Sequence, residues 1–355
     1  MKPAYTLIFL LISIFSYSQT YSGPESIEYD YANNRWLIAN TQSHQVLARD
    51  SIGNLSVFVS GLVNGPYGIE IVGDTLFCCS GSSIKGYLLS NASLVFNVNL
   101  GATFLNGITH DLSGNLIVTD FSAKTIYKLN ILTQQDTIIA SGLVQSPNGI
   151  TYDEINNRCI FVNWGSNAPI KAINLATNVV SIVVGTTLGS CDGIAYDNHG
   201  NYYVSNWSNQ SIVQFDSSFS NPPVTVVSSL NNPADLFYNV LSDTLGIPNA
   251  GNNTVVFFGF NTVSVTEHEK IMEWSLFPNP ACNQSFVRLN MKKSGEIKLK
   301  LFNFSGTQIE ERTIFANEGV NTLPVLSDNQ IVNSGIYLIQ IVVGDLSKTF
   351  KLIFN

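Results

Sequence analysis

Ser146-Pro-Asn-Gly-Ile-Thr-Tyr-Asp153 is the stretch that decides the fold, because variants of it recur along the chain. Each variant places an isoleucine or leucine at the start of an apolar run, usually just after a glycine. Successive copies of this anchoring residue are separated by 42, 39, 42, 44 and 42 residues. A regular period of this length indicates repeated supersecondary units. The anchors are Ile27, Ile69, Ile108, Ile150, Ile194 and Leu236.

Each unit continues with a second strand-like run that ends on a small polar residue, for example Leu116–Asp120 or Tyr202–Asn206. Two further short runs follow in most units, such as Thr125–Lys128 and Asp136–Ala140, and turn residues separate them. Four short antiparallel strands in about 40–45 residues predict one propeller blade. Helical solenoids share this period, but the 3.6-residue periodicity that they require is absent. Six units close a ring without leaving a free sheet edge.

The repeats resemble those of two related propeller families with six blades. One is the NHL-repeat group; the other is the gluconolactonase/regucalcin-like group, whose blades also open with Pro-x-Gly-Ile and close their second strand on Asp or Asn. The resemblance covers roughly Ser22 to Val265, and we predict the propeller over residues 19–265. Many propellers share this pattern, so it predicts the fold much better than the function.

The repeat stops after Phe260, and a charged stretch at residues 266–270 predicts a linker over residues 266–275. Alternating apolar runs with Gly- and Asn-containing turns predict a small β-sandwich over residues 276–355. The fold class is therefore all-β, a six-bladed β-propeller followed by a small sandwich. The runs and motifs that support the sandwich are Leu276-Phe-Pro-Asn-Pro280, Ile297–Phe302, Ser305-Gly306, Ser334–Ile341 and Lys348–Asn355.

These C-terminal motifs resemble the type A sorting domain of the type IX secretion system. The resemblance implies a bacterium of the Bacteroidota type and the type IX machinery as a partner. It also implies release from the cell or attachment to its outer surface. A carbohydrate-binding sandwich is the alternative, and the lack of an aromatic platform argues against it.

The N-terminus predicts export. Lys2 precedes an apolar run, Ala4–Phe15, and small residues in Ser16-Tyr-Ser18 predict a signal peptide over residues 1–18, cleaved before Gln19. The run is too short to cross ~30 Å of hydrocarbon, and no later segment is long and apolar enough, so no transmembrane segment is predicted. With a net charge of −8, the chain offers no basic patch for a nucleic acid.

The chain has five cysteines, an odd number whose spacing fits no zinc pattern. We predict that they behave as buried small apolar residues rather than as disulfide partners.

The column of residues just before Gly-Ile is the candidate site, because innermost propeller strands begin at one rim of the central channel. Two carboxylates converging there would repel each other unless a cation or protons compensated. Carboxylate and amide oxygens without His or Cys favour Ca²⁺, with Mg²⁺ or Mn²⁺ as alternatives. We predict Glu25, Asn148 and Asp192 as ligands and Asn106 as a further or water-mediated one. The alternative is a polar channel of mutual hydrogen bonds and water. The whole column reads Glu25, Tyr67, Asn106, Asn148, Asp192 and Ala234.

The resemblance to the gluconolactonase-like group adds two expectations. Glu25, Asn148 and Asp192 match its metal-binding positions, and Asp192 is the candidate general base. Its members usually carry an arginine two residues before Asn106, where this chain has Phe104, which argues against sugar-acid lactones. Two functions stay open: a metal-dependent lactone or ester hydrolase, and a non-enzymatic propeller that binds a protein or glycan at the cell surface.

Other notable side chains have structural interpretations. His110 occupies a column held by tyrosine in four other units, which favours packing between blades over catalysis. Phe121, Trp164 and Trp207 follow second strands; they either line a ligand cleft or pack between blades, and we favour packing. The aspartates that follow the first strands are expected to close turns locally. These are Asp30, Asp111, Asp153 and Asp197.

Overall fold

The computed structural model describes residues 19–197, 199–260, 271–282, 284–327, 332–344 and 346–354. The predicted signal peptide, residues 1–18, lies outside them. The described residues form thirty β-strands and one 3-10 turn, Thr41–Ser43, which confirms the all-β class. No helix within these ranges has the length and apolar character that a membrane span requires.

The first five blades are four-stranded antiparallel sheets, each built from consecutive strands. Blade 1 contains β1 (Pro24–Asp30), β2 (Arg35–Asn40), β3 (Gln45–Arg49) and β4 (Leu55–Ser60). Blade 2 contains β5 (Ile69–Val72), β6 (Thr75–Ser80), β7 (Ser83–Leu88) and β8 (Leu94–Asn99). Blade 3 contains β9 (Leu105–His110), β10 (Asn115–Asp120), β11 (Thr125–Asn130) and β12 (Asp136–Ala140). Blade 4 contains β13 (Ser146–Asp153), β14 (Arg158–Trp164), β15 (Ile170–Asn174) and β16 (Val180–Val184). Blade 5 contains β17 (Cys191–Tyr196), β18 (Tyr202–Asn206), β19 (Ser211–Phe215) and β20 (Val224–Val227).

Blade 6 has three strands among the described residues: β21 (Phe237–Asn239), β22 (Thr244–Asn249) and β23 (Thr254–Gly259). Residues 261–270 lie outside the described ranges, so a fourth strand there stays a prediction. Leu236 was expected on an innermost strand, but it lies just before β21. Just before it, the Ala234 N–H donates to the Pro248 carbonyl of β22 and the Asp235 N–H donates to the Glu25 carbonyl of blade 1, both at 2.9 Å.

Blades 1 and 6 meet at a seam that closes the ring. The Gly23 N–H donates to Asn253 Oδ1 at 2.7 Å, and Ser26 Oγ donates to Asp235 Oδ2 at 2.9 Å. In the described part of the chain, neither terminus adds a strand to the blade formed by the other. Among the described residues, the ring is therefore closed by side-by-side packing of blades 1 and 6.

The glycine column has a steric cause. First strands of neighbouring blades approach backbone to backbone around the channel, and the Gly68 N–H donates to the Asn106 carbonyl at 2.9 Å. A Cβ on Gly107 would overlap the Asn148 carbonyl, and one on Gly149 would lie 2.6 Å from the Asp192 carbonyl. Any side chain at these positions would force neighbouring blades apart, which explains the Gly of the repeat.

The aspartates after the first strands close turns, as predicted. In blade 1, Asp30 Oδ2 accepts from Asn33 Nδ2 at 2.7 Å and from Arg35 Nε at 2.8 Å. In blade 5, Asp197 Oδ1 accepts the backbone N–H of Asn201 at 2.8 Å. These carboxylates are satisfied within their own turns and are therefore structural.

Four cysteines behave as predicted. Cys78, Cys79, Cys159 and Cys191 are buried with free thiols, and burial raises the pKa of each thiol. Cys282 also has a free thiol but is exposed, so the prediction of burial is wrong there. It follows buried Ala281 in a loop of the C-terminal domain, between two strands.

The C-terminal domain is a sandwich of a three-stranded and a four-stranded sheet around one apolar core. β24 starts at Ile271, so the part of the predicted linker from residue 271 onward is a strand, paired with β25. The first sheet contains β24 (Ile271–Phe277), β25 (Phe286–Met291) and β28 (Gly319–Pro324). The second contains β27 (Gln308–Ala316), β26 (Gly295–Asn303), β29 (Gly335–Val343) and β30 (Leu346–Phe354).

Candidate functional site

The four residues predicted as metal ligands share a backbone feature: each lies at a break in the pairing between the first and second strands of its blade. In β13, Pro147 pairs with Asn163 and Ile150 with Phe161, so two residues oppose one. The same irregularity occurs around Glu25, Asn106 and Asp192. A β-bulge re-aims a side chain away from the regular alternation of a strand. The bulges therefore turn these four side chains out of the regular alternation of their strands. We call the channel rim where Glu25, Asn106, Asn148 and Asp192 lie the mouth.

Two oxygens at the mouth are buried and lack a hydrogen-bond partner within the protein: Asn148 Oδ1 and Asp192 Oδ1. The orientation of the Asn148 amide is set by its other end, because Nδ2 donates to the Cys191 carbonyl at 3.3 Å. Buried polar atoms in folded proteins are normally paired, and an unpaired acceptor costs free energy. These two oxygens are free to accept a donor or a cation.

The mouth concentrates negative charge. Burial, together with the charge of Asp235, raises the pKa of Glu25 to about 7. Burial and then the charges of Glu25 and Asp235 raise the pKa of Asp192 well above its ordinary value, although the nearby side chains of Trp207 and Asn148 act in the opposite direction. Each carboxylate therefore destabilises the ionised form of its neighbours. Bound protons or a cation must compensate this negative charge.

The structure brings Glu25, Asn148 and Asp192 into one electrostatic group at the mouth. Asn106 is buried on blade 3, where its backbone carbonyl accepts from Gly68. In the described part of the chain, the Asn106 side chain forms no hydrogen bond with Glu25, Asn148 or Asp192. The role of Asn106 as a further or water-mediated ligand stays a prediction.

Asp235 is the functional candidate that the sequence column missed. Burial, and the charge of Glu70, raise its pKa to about 7, while the hydrogen bond from Ser26 acts against this. Asp235 stands where the other units carry Gly or Ser, one residue after the column that ends in Ala234. A carboxylate that replaces the glycine of the repeat was the signal that could have identified it.

Further along the same strands, the channel contains a cavity of about 120 Å³, which we call the inner cavity. Glu28 and Glu70 lie on its wall with Asp235. Burial and then the charges of Glu70 and Asp235 raise the pKa of Glu28 well above its ordinary value. The residues that follow the anchors line this cavity: Glu28, Glu70, Thr109, Thr151, Ala195 and Phe237.

His110 has a partner that the sequence did not predict. Its Nδ1 lies 2.5 Å from Glu70 Oε1, on the neighbouring blade. Burial by itself would lower the pKa of His110, but the hydrogen bond and charge of Glu70 outweigh it and raise the pKa. The imidazole therefore forms a hydrogen bond with one carboxylate of the inner cavity instead of packing only as an aromatic ring.

The donor set at the mouth fits a hard divalent cation. Asn148 and Asp192 offer unpaired oxygens, Glu25 supplies a second carboxylate, and thiol or imidazole ligands are not involved. Within the described ranges, no group of three or more His, Cys, Asp or Glu side chains is arranged to hold a metal ion. A cation at the mouth would therefore depend on amide oxygen as well as on carboxylates.

Comparison with known families identifies the C-terminal domain. Residues 275–355 match the secretion system C-terminal sorting domain. This domain marks proteins that the type IX system secretes or attaches to the cell surface, which confirms handling by that system and the predicted location, while the signal peptide stays a prediction. A search among curated proteins gave no match to the chain.

Solved structures confirm the propeller fold. A gluconolactonase from Xanthomonas campestris is 15% identical, with 65% of this chain and 84% of that one covered and a TM-score of 0.56. A luciferin-regenerating enzyme is 14% identical, with coverage of 68% and 93% and a TM-score of 0.57. A Bacteroides thetaiotaomicron protein of unknown function is 13% identical, with coverage of 68% and 70% and a TM-score of 0.59. At these identities the likeness establishes the fold alone.

Proposed function

We propose that the propeller is an exported hydrolase of an ester or lactone that depends on a divalent cation, Ca²⁺ in the first instance. Glu25, Asn148 and Asp192 would hold the cation, and Asn106 would contribute directly or through water. The observation that supports this most strongly is the pair of buried, unpaired oxygens on Asn148 and Asp192. The gluconolactonase and the luciferin-regenerating enzyme among the structural neighbours are consistent with it.

The chemistry follows from the character of the mouth. A bound divalent cation polarises a carbonyl and lowers the pKa of a water molecule. Asp192 is the candidate general base, because burial and neighbouring carboxylates raise its pKa and make it a better proton acceptor than an ordinary aspartate. Asn148 keeps its oxygen available since its amide nitrogen is tied to the Cys191 carbonyl.

The cation is tested on the purified mature protein by metal analysis and thermal unfolding. We expect Ca²⁺ to raise Tm after treatment with a chelator, and Asp192→Asn to abolish this response. Glu28→Gln removes a carboxylate of the inner cavity and serves as the matched control, which keeps the response. An unchanged Tm on addition of Ca²⁺, Mg²⁺ or Mn²⁺ would refute the cation.

Catalysis is tested by a screen of lactones and esters with the wild type and Asp192→Asn. Hydrolysis that Asp192→Asn removes and Glu28→Gln retains would support the hydrolase. Cation binding without hydrolysis of any substrate class would instead favour the second function, a non-enzymatic propeller that binds a partner at the cell surface.

A further inference from the structure

Five aromatic side chains form a continuous row at the mouth, which we call the aromatic arc: Tyr67, Phe104, Phe121, Trp164 and Trp207. Neighbouring ring centroids lie 4.5, 5.6, 6.0 and 4.9 Å apart along it, all in edge-to-face geometry. The arc runs across blades 2 to 5. All five side chains are only partly buried, so their packing between blades is incomplete.

Strand register places the arc beside the candidate ligands. Trp164 pairs with Ser146, two residues before Asn148, and Trp207 follows Asn206, which pairs with Cys191. At its other end, Tyr67 is close enough to Glu25 for that carboxylate to raise its pKa, although burial contributes more. Each end of the arc is therefore close to an acid of the mouth.

The arc is built to stay in place without a ligand. Trp207 Nε1 donates to the Pro233 carbonyl at 3.0 Å, which fixes the orientation of its indole ring. By contrast, the edge-to-face pair of Phe77 and Phe96 is almost fully buried between strands of blade 2. The five rings of the arc are adjacent and partly open to water, so they leave apolar surface at the mouth that a ligand ring can cover.

The character of the arc restricts the ligand. In the described part of the chain the recorded cation–π pairs are those of Arg35, Arg49 and Lys348, and none involves a ring of the arc. The carboxylates of Glu25 and Asp192 lie beside the arc, and they repel an anion. A flat uncharged aryl ring continues the edge-to-face row with both its edge and its face, whereas a polyhydroxylated ring offers only its C–H face and carries hydroxyl groups that lose water beside the rings.

We propose that the aromatic arc is the subsite for the ring of the substrate and selects uncharged aryl esters and aryl lactones over polyhydroxylated lactones. This selection rests on the proposed hydrolase function. Binding of the ring, however, does not require the cation, so the two are separable by experiment.

The binding test uses dihydrocoumarin, an uncharged aryl lactone, and glucono-δ-lactone as the polyol comparison. Binding is titrated by calorimetry with the Asp192→Asn variant. This variant lacks the candidate general base, so the protein does not hydrolyse either compound during the measurement. We expect Trp164→Ala to weaken dihydrocoumarin binding about fivefold to tenfold and Trp164→Phe to restore most of the affinity. Phe315→Ala, at a ring that is 67% exposed in the sorting domain, is the matched control and leaves it unchanged.

Phe121→Ala provides a second probe if Trp164→Ala does not fold, and it too is expected to weaken dihydrocoumarin binding several-fold. Equal affinity of the arc variants and the control for dihydrocoumarin would overturn the proposal, as would tighter binding of glucono-δ-lactone. If dihydrocoumarin binds in an arc-dependent way but no ester is hydrolysed, the arc stands and the hydrolase fails. If hydrolysis occurs but kcat/KM is insensitive to the arc variants, the hydrolase stands and the arc proposal fails.

Discussion

The mouth and the inner cavity of the channel both concentrate carboxylates, but in the described part of the chain the acids of the inner cavity are the better paired. There, Glu70 pairs with His110, and Glu28 forms a hydrogen bond with Glu70 that favours its protonated form. At the mouth, Asn148 and Asp192 each keep a buried oxygen that no protein group donates to. The two levels of the channel therefore differ less in charge density than in how completely their buried acceptors are paired, and an unpaired buried acceptor requires a physical explanation.

The sharpest way to break this comparison is Asp192→Ala. We expect calorimetric Ca²⁺ affinity to fall by more than about 100-fold, since even outer-shell substitutions at metal sites cost 10–100-fold. Removal of one of several buried, mutually repelling acids should leave the cation-free protein at pH 8 at least as stable as the wild type. Retained Ca²⁺ binding would show that the mouth does not hold the cation.

His110→Phe tests the inner cavity. Phenylalanine keeps an aromatic ring in a column where Tyr29, Tyr152, Tyr196 and Tyr238 stand in other blades, but it removes the donor to Glu70. We expect a loss of about 1–3 kcal/mol in the free energy of unfolding, measured by denaturant titration, because a largely buried acceptor is left unpaired. Ca²⁺ affinity should stay within about twofold of the wild type. A change of about tenfold would show that the inner cavity and the mouth are energetically coupled.

The pH dependence of stability tests the uncompensated charge. The pKa of Glu25 is raised from 4.5 to about 7, and that of Asp235 from 3.8 to about 7. Between the lower and upper values, the folded protein binds more protons than the unfolded chain, so the free energy of unfolding falls as pH rises through this window. Without divalent cations, Tm should therefore be higher at pH 5 than at pH 8, by an amount on the order of a few °C.

Added Ca²⁺ sharpens that measurement, because cations and protons compete for the same carboxylates. The increase in Tm on addition of Ca²⁺ should be larger at pH 8 than at pH 5. A Ca²⁺ effect of equal size at both values would indicate that the ion binds away from these acids.

Asn106→Ala should have the smallest effect. In the described part of the chain, the Asn106 side chain forms no hydrogen bond with the other three candidate ligands, and its backbone interaction with Gly68 does not depend on the side chain. We expect Ca²⁺ affinity to fall less than about tenfold, as for the loss of a weak or water-mediated ligand. A loss as large as that of Asp192→Ala would make Asn106 a direct ligand.

The sequence predicted the repeats closely because each blade follows local rules. The second strands were expected to end at Asn40, Asp120 and Asn206, and they do. Residues whose environment depends on other blades were harder to predict from the sequence. The pairing of His110 with Glu70 joins blades 2 and 3, and no pattern within one repeat indicates it.

Asp235 illustrates the same difficulty from another side. Its position in the repeat was visible, but its importance comes from Glu25 and Glu70, which lie far from it in sequence. The bulges were equally hidden, since a column of side chains does not reveal that its residues stand outside the regular ladder. The sequence column did group Glu25, Asn148 and Asp192, which lie close together in the structure, and their role as ligands stays a prediction.

The seam between the first and last blades affects the rates at which the ring closes and opens. Its contacts join residues 209 and 230 positions apart, as in Ser26–Asp235 and Gly23–Asn253, so closing it costs the most chain entropy. An ion shared by Glu25 of blade 1 and Asp192 of blade 5 would act as a clasp across blade 6. Because such a clasp forms only once the ring is shut, it should slow the rate of opening and leave the rate of folding almost unchanged. For an exported protein, the time spent closed against proteases would then be set by the Ca²⁺ concentration outside the cell.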